Sequence, residues 1–233
     1  MEEILCAGFA ELGIEPDEKA FERYKIYFEY LEERNSVMNL TAISGVKAVA
    51  RQHFLDCSAI LSATDFKDKT VIDVGTGAGF PGLALKIAEP SIKLTLLDSL
   101  NKRIEFLSET CEKLGFGDVS CLHARAEEAP AELRAAFDIA TSRAVARLNT
   151  LCELCLPFVK VGGVFVAMKG PDCAQELEEA KNALHILGAE VEKTVSYTIP
   201  GTDIVHTAVI IRKTKPTHPK YPRKWSQIKK KPL

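Results

Sequence analysis

The spacing of apolar positions divides this chain into two regimes. Over residues 2–13, and from Pro16-Asp17 to about Arg34, apolar side chains recur at helical intervals, with Phe21, Tyr24, Phe28 and Leu31 on one face of the longer segment. Gly13 is placed to end the first helix, and a third is predicted over residues 46–62. From residue 70 the period shortens. Apolar or alternating runs at 70–74, 93–98, 118–122, 137–142, 163–168, 190–198 and 204–211 read as strands, with helical segments at 81–88, 101–114, 147–157 and 173–187. Such alternation predicts an α/β fold, a mostly parallel seven-stranded sheet with helices on both faces. The last two strands are joined only by Ile199-Pro-Gly-Thr-Asp203, so an edge hairpin, antiparallel, is expected. The expected organisation is an N-terminal helical extension (1–66) able to close over a core (67–213), followed by a tail (214–233).

The stretch from Val71 to Gly82 organises the core. Val71, Ile72 and Val74 form a short apolar strand, and Gly75, Gly77, Gly79 and Gly82 follow in a turn that opens a helix at Pro81. A strand, a bare turn and a helix N-terminus make a cofactor-binding edge. Gly77-x-Gly79-x-x-Gly82 satisfies a dinucleotide pattern, with Asp98 following 21 residues after Gly77. In that alignment, however, Gly75 and Thr76 would stand where strand residues belong. Starting the turn at Gly75 places Asp73 at the strand's end, where an acid suits a cationic ligand better than a pyrophosphate. Asp73-x-Gly75-x-Gly77-x-Gly79 resembles motif I of the class I S-adenosylmethionine-dependent methyltransferases, a Rossmann-like fold. Asp98 ends the second strand, where it can accept hydrogen bonds from both ribose hydroxyls of an adenosine or cap the helix at 101.

Composition narrows the class. With 46% apolar and 27% charged residues in 233, and no apolar run of membrane-spanning length, the expectation is a soluble protein. The acidic start Met-Glu-Glu-Ile-Leu is unlike a signal peptide, so a cytoplasmic location is expected. Seven cysteines fit reduced thiols; Cys152 and Cys155 have C-x-x-C spacing but sit in a helical pattern without further ligands, so no metal is expected. The net charge of −2 conceals an asymmetry. Nine Lys and Arg and no acid lie between Arg212 and Leu233, leaving 21 basic against 32 acidic groups elsewhere. With Tyr221 and Trp225 among them, these residues, Arg223 and Lys224 included, are expected to contact RNA rather than merely solubilise the terminus.

Further motifs accompany the glycine turn: Leu97-Asp98-Ser99 with Lys102-Arg103 and Phe106-Leu107, Arg125-Ala126-Glu127, Ser142-Arg143-Ala144 and Met168-Lys169-Gly170. Asn39-Leu-Thr41 and His53-Phe-Leu-Asp56 precede them. Together this set resembles the RsmG family, also called glucose-inhibited division protein B, from the first helix to the tail. The resemblance implies S-adenosylmethionine-dependent methylation of a guanine N7 in 16S ribosomal RNA, on the free RNA or the small ribosomal subunit, by a protein expected to be a monomer. It also implies that Gly75, Gly77 and Gly79 line the methionine and ribose end of the cofactor, with Phe80 over it and Asp98 on the ribose. Ala126 and Glu127 would contact the adenine, and Arg143 would serve the cofactor site or an RNA phosphate. Lys169 is either a phosphate or base contact or a plain surface lysine. Trp225-Ser-Gln-Ile228 departs from the small, Gly- and Pro-containing segment usual for that family's tail.

The chemistry agrees with the resemblance. The chain has no Asn/Asp-Pro-Pro-aromatic motif of the exocyclic-amine methyltransferases, and its helical Cys152 and Cys155 are poor candidates for attack at a pyrimidine C5. Guanine N7 attacks with its own lone pair and needs alignment rather than a general base. His53 and Asp56, three residues apart on a predicted helix, would share a local hydrogen bond; the alternative places Asn39 and His53 at the RNA entrance. The competing functions are an NAD-binding module using Gly77-x-Gly79-x-x-Gly82 and a ribosome-assembly protein that binds RNA without catalysis.

Overall fold

Seven strands hydrogen-bond in the order β3-β2-β1-β4-β5-β7-β6 in the computed structural model, which describes every residue except Ala144, Val145 and Asp172. Strands β1 (Thr70–Val74), β2 (Lys93–Asp98), β3 (Ser120–His123), β4 (Phe137–Arg143) and β5 (Val159–Lys169) run parallel. The hairpin of β6 (Ala189–Thr198) and β7 (Val205–Lys213) completes the sheet, β7 lying antiparallel to both β5 and β6. Strand β5 starts four residues before the predicted run, because Gly162-Gly163, which reads as a break, lies within it. A Cβ at Gly163 would stand 2.5 Å from the Asp138 carbonyl, so the neighbouring strand can approach only a glycine here. The register between β4 and β5 shifts at this point.

The period of two sorts the strand residues onto two faces. Val71, Val164, Val166, Ala208 and Ile210 point to a cluster shared with α5 (Gly82–Ala88), α6 (Asn101–Leu114) and the N-terminal helices. Ile72, Val74, Phe165, Ala167, Val209 and Ile211 point to the other, against α7 (Leu148–Cys155) and α8 (Ala174–Leu187). Cys152 and Cys155 are buried in this second cluster, with burial raising both thiol pKa values.

Before the sheet come α1 (Glu2–Leu12), which Gly13 ends in a left-handed conformation, and α2 (Ala20–Met38). The third predicted helix is a composite: α3 (Val46–Val49), a π-helical turn at Ala50–Leu55, then α4 (Asp56–Ala59) and a 3-10 turn at Ile60–Ser62. Tyr24 and Tyr27 of α2 are fully buried; the first donates to the Ala84 carbonyl at 2.8 Å and the second to the Ala78 carbonyl. Among the described residues no helix is long and apolar enough to cross a membrane.

The tail is folded back rather than extended. Lys213 inserts its ammonium beneath the Leu187 and Leu156 carbonyls at 2.8 and 3.2 Å, and the N–H groups of Thr214 and Lys215 donate to Gly188. The Tyr221 carbonyl accepts from Arg134 at 2.6 Å, and a short helix, α9 (Trp225–Lys230), seats Ile228 in the second cluster.

Candidate active site

The glycine turn is held from below. Gly75, Gly77 and Gly79 all have positive φ, and the N–H groups of Gly75 and Thr76 donate to the Leu97 carbonyl of β2. A Cβ at Gly79 would meet the Tyr27 hydroxyl at 2.5 Å, whereas one at Gly77 would meet no atom within 4 Å. The turn is thus closed on its inner side and open on the outer. Asp73 lies fully buried beneath it; its Oδ2 accepts from the Thr76 hydroxyl at 2.6 Å and the Gly82 N–H at 2.8 Å. Asp73 thus fastens the turn from below.

Oδ1 of Asp73 is buried without a hydrogen-bond partner among the described residues. Burial pushes this carboxyl from 3.8 up to about 6, against the two hydrogen bonds. Ionisation is disfavoured in the folded chain, so the penalty is absent below 3.8 and complete above about 6; stability is lost as pH rises through that window. Replacing Asp73 with asparagine removes the titration. The stability difference between wild type and D73N is expected to change by on the order of 2–3 kcal/mol between about pH 4 and about pH 7. Urea titrations at the two pH values measure it, and an unchanged difference would contradict a buried, ionising Asp73.

Two adjoining cavities lie along the C-terminal ends of β1 and β2, beside the β1/β4 junction where the strand order reverses. One, of about 420 Å³, is lined by the glycine turn, Thr41, His53, Phe80, Asp98 and Arg143. The other, of about 230 Å³, is lined by Leu97, Ala126, Glu127, Leu154 and Trp225, and shares Gly75, Asp98 and Ser99 with the first. Asp98 stands at their junction. Its Oδ2 accepts from Gly77 N–H at 2.9 Å and Arg103 at 3.3 Å, and its Oδ1 from Leu100 N–H at 2.9 Å. The helix-capping alternative is therefore half met: the bond falls on Leu100, the residue before α6, while the carboxylate still fastens the turn. In the smaller cavity, Oε1 of Glu127 is buried with no hydrogen-bond partner among the described residues, and Arg125 lies 3.7 Å away.

The larger cavity abuts a third, of about 670 Å³, and the wall between them is an aromatic and cationic stack. Phe80 packs on His53 with ring centroids 4.3 Å apart and on Tyr27 at 5.4 Å, and the Arg143 guanidinium lies 5.0 Å from the Phe80 ring. Arg143 donates to the Gln52 carbonyl at 3.1 Å, Asp56 at 3.2 Å and His53 Nδ1 at 2.9 Å. Burial first, then the Arg143 charge, pull His53 from 6.5 down to about 3, so it is neutral, takes the guanidinium N–H on Nδ1 and donates from Nε2 to Thr41 at 2.8 Å. Asp56, 1% exposed, also accepts from Tyr197 at 3.0 Å and His206 at 2.8 Å, and that last bond raises the pKa of His206. The expected local bond between His53 and Asp56 is not what forms. The π-helical turn spreads the two side chains, and both are drawn to Arg143 instead.

A family model described as rRNA small subunit methyltransferase G matches residues 20–205. Proteins named ribosomal RNA small subunit methyltransferase G from Clostridium perfringens (strain 13 / Type A) and Alkaliphilus metalliredigens (strain QYMF) are each 47% identical to this chain. The alignments cover 95% and 99% of this chain and 94% and 98% of those proteins. The chain belongs to this family. Solved structures similar in fold include M. jannaschii TYW2 in complex with AdoMet, with TM-score 0.55 and 13% identity over 68% of this chain and 74% of that one. The mitomycin 7-O-methyltransferase MmcR matches with TM-score 0.57 and 17% identity over 84% and 67%. These identities speak to the fold alone, which is that of the class I S-adenosylmethionine methyltransferases.

Membership of the methyltransferase G family retires the NAD alternative, and the paired cavities fit S-adenosylmethionine. Glu127 Oε1 is an unmatched acceptor in the apolar cavity, suited to an amine, and Asp98 keeps acceptor capacity at the junction of the two cavities for ribose hydroxyls. Gly75, Gly77, Phe80, Asp98, Ala126, Glu127 and Arg143 all line these cavities. Gly79 instead sits behind the turn, against Tyr27. Lys169 is neither a free phosphate contact nor a plain surface lysine: its side chain is 8% exposed and bonds Glu176 at 2.7 Å and the Ala146 carbonyl at 2.8 Å. Arg223 is not free for RNA either, because it clamps Glu153 with 2.8 and 2.6 Å bonds. Asn39 is exposed at the left-handed end of α2 and lines none of the three cavities; Lys224 is exposed. Ala144, the last residue of the Ser142-Arg143-Ala144 motif, lies outside the described residues. Tyr197 and His206 entered the site without a motif to announce them.

Proposed function

We propose that this chain transfers the methyl group of S-adenosylmethionine to N7 of a guanine in 16S ribosomal RNA. The observation that carries the reading is the shared wall: His53 and Arg143 line both the 420 Å³ cavity of the glycine turn and the 670 Å³ cavity beyond it. The outer cavity is also edged by Arg147 and His206, donors beside Arg143 suited to a nucleotide with its phosphates, while Lys169 at the same wall is held by Glu176. When bound, S-adenosylmethionine supplies an electrophilic methyl on a sulfonium. The protein's part is then to hold the guanine in line with it and keep water out.

Arg143 is the residue best placed for this alignment. Three of its five N–H groups are used by Gln52, Asp56 and His53, which fix the guanidinium plane; the others have no partner among the described residues and are available to a base edge or phosphate. No general base is required, since N7 carries no proton. Neutral His53 and the buried Tyr27 are therefore read as positioning groups around Phe80.

In the tail, Lys224, Lys229, Lys230 and Lys231 are exposed and are the groups we assign to RNA. The partner is free 16S RNA or the small subunit carrying it, and the location is the cytoplasm where that RNA resides. The test is incubation with labelled S-adenosylmethionine and small-subunit RNA lacking its native modification. Label on guanine with strand scission after borohydride and aniline is the expected result. Label on another base, or none on either substrate with cofactor bound, would refute the assignment.

A further inference from the structure

Trp225 is the one tryptophan of the chain, and it stands on the tail helix facing a cavity that the core would otherwise leave open. Its neighbour Ile228, one turn on, is 0% exposed in the second apolar cluster, whereas Trp225 remains 38% exposed. The helix is therefore anchored through Ile228, and the indole surface is left uncovered beside Leu154, Ala126 and Glu127. Large aromatic surface left half in water costs hydrophobic free energy that a ligand would recover. The anchoring is reinforced from the other side. Arg223, two residues before, bonds the fully buried Glu153 of α7 through Nε, Nη2 and its backbone N–H, at 2.8, 2.6 and 2.9 Å. Glu153 is adjacent in sequence to Leu154, so one clamp fixes the tail to the helix that builds the other part of the same cavity wall.

The geometry assigns the tail to the cofactor site: Trp225 is the aromatic wall of the adenine cavity, and the Arg223–Glu153 pair holds it there. The assignment rests on the S-adenosylmethionine reading above. It gives the basic tail a first duty other than RNA contact, and it makes the adenosine end of the site depend on the last ten or so residues. The Phe80 stack guards the methionine end, at the opposite side of Asp98. Trp225 touches neither that stack nor the 670 Å³ cavity.

The experiment uses the full-length protein, with tryptophan emission and calorimetric titration read in parallel for S-adenosylmethionine and S-adenosylhomocysteine. Both ligands are expected to change the emission of Trp225 saturably, with the Kd found by calorimetry. W225A is expected to weaken both by about tenfold, the effect of losing one base–aromatic stack, while W225F stays within about threefold. Methionine alone, which lacks the adenine, should leave the emission unchanged. Calorimetric binding with unchanged emission, or W225A binding as tightly as wild type, would overturn the assignment while leaving the cofactor reading intact. A wild type that binds neither ligand would sink both. An emission change produced by RNA but not by either adenosyl ligand would return Trp225 to the RNA surface and overturn the proposal.

Discussion

Arg143→Ala is expected to lower kcat/KM for methyl transfer by at least about 100-fold, equivalent to on the order of 3 kcal/mol of transition-state stabilisation. The guanidinium is the meeting point of Gln52, His53, Asp56 and the Phe80 ring, so its removal unfastens the wall between the two cavities. Lysine at this position keeps the charge but cannot span three fixed acceptors, so R143K should recover only a small part of the activity. A stability readout separates this from simple unfolding. Without Arg143 the buried Asp56 keeps, among the described residues, His206 as its one ion-pair partner, and a histidine whose pKa is raised on folding contributes stability below its ordinary 6.5 that fades as pH rises through the higher folded value. The destabilisation of R143A should accordingly be smaller at about pH 6 than at about pH 9, in denaturant titrations at both. Activity within a few-fold of wild type would remove this wall from the reaction.

Arg223→Ala should cost about 3–5 kcal/mol of folding stability and lower Tm by on the order of 10 °C. The reason is Glu153, whose side chain is 0% exposed and whose two oxygens accept from Nε and Nη2 of Arg223. Deleting the cation leaves a carboxylate beside the second apolar cluster, held among the described residues only by the Arg223 backbone N–H. Neutralising that carboxylate should restore most of the loss, so the E153Q/R223A double variant is expected to be more stable than R223A alone. A surface arginine devoted to RNA would behave oppositely. Its removal would leave Tm within a degree or two and weaken only RNA binding, with a shallower salt dependence.

The two residues behind these expectations show where sequence reading stops. The number and positions of the strands, the hairpin, the glycine turn and the place of Asp98 at the end of β2 could be read directly, because each follows from a period or a spacing within some thirty residues. Arg143 came from resemblance, without its partners, since Asp56 and His53 lie 87 and 90 positions away and only the crossing of β4 beneath the π-helical turn unites them. Arg223 was read from the charge run around it, and the buried acid that claims it lies 70 positions upstream. The pairing of Lys169 is hidden from the sequence for the same reason. Its partner Glu176 is seven residues on, yet nothing in the pattern of α8 marks that acid as turned toward β5. Charge runs report what a segment carries, not what it has already neutralised.

The hydroxyls of Tyr24 and Tyr27 reach carbonyls 60 and 51 residues further along the chain, at Ala84 and Ala78. A ribosome making this protein therefore releases α1 and α2 well before the strand and turn that will cover their apolar faces. At about 5–20 residues per second, those helices wait several seconds for a binding surface that does not yet exist. The nascent N-terminus thus emerges with its apolar faces uncovered, and cutting it away would remove Tyr27 from beneath the cofactor turn.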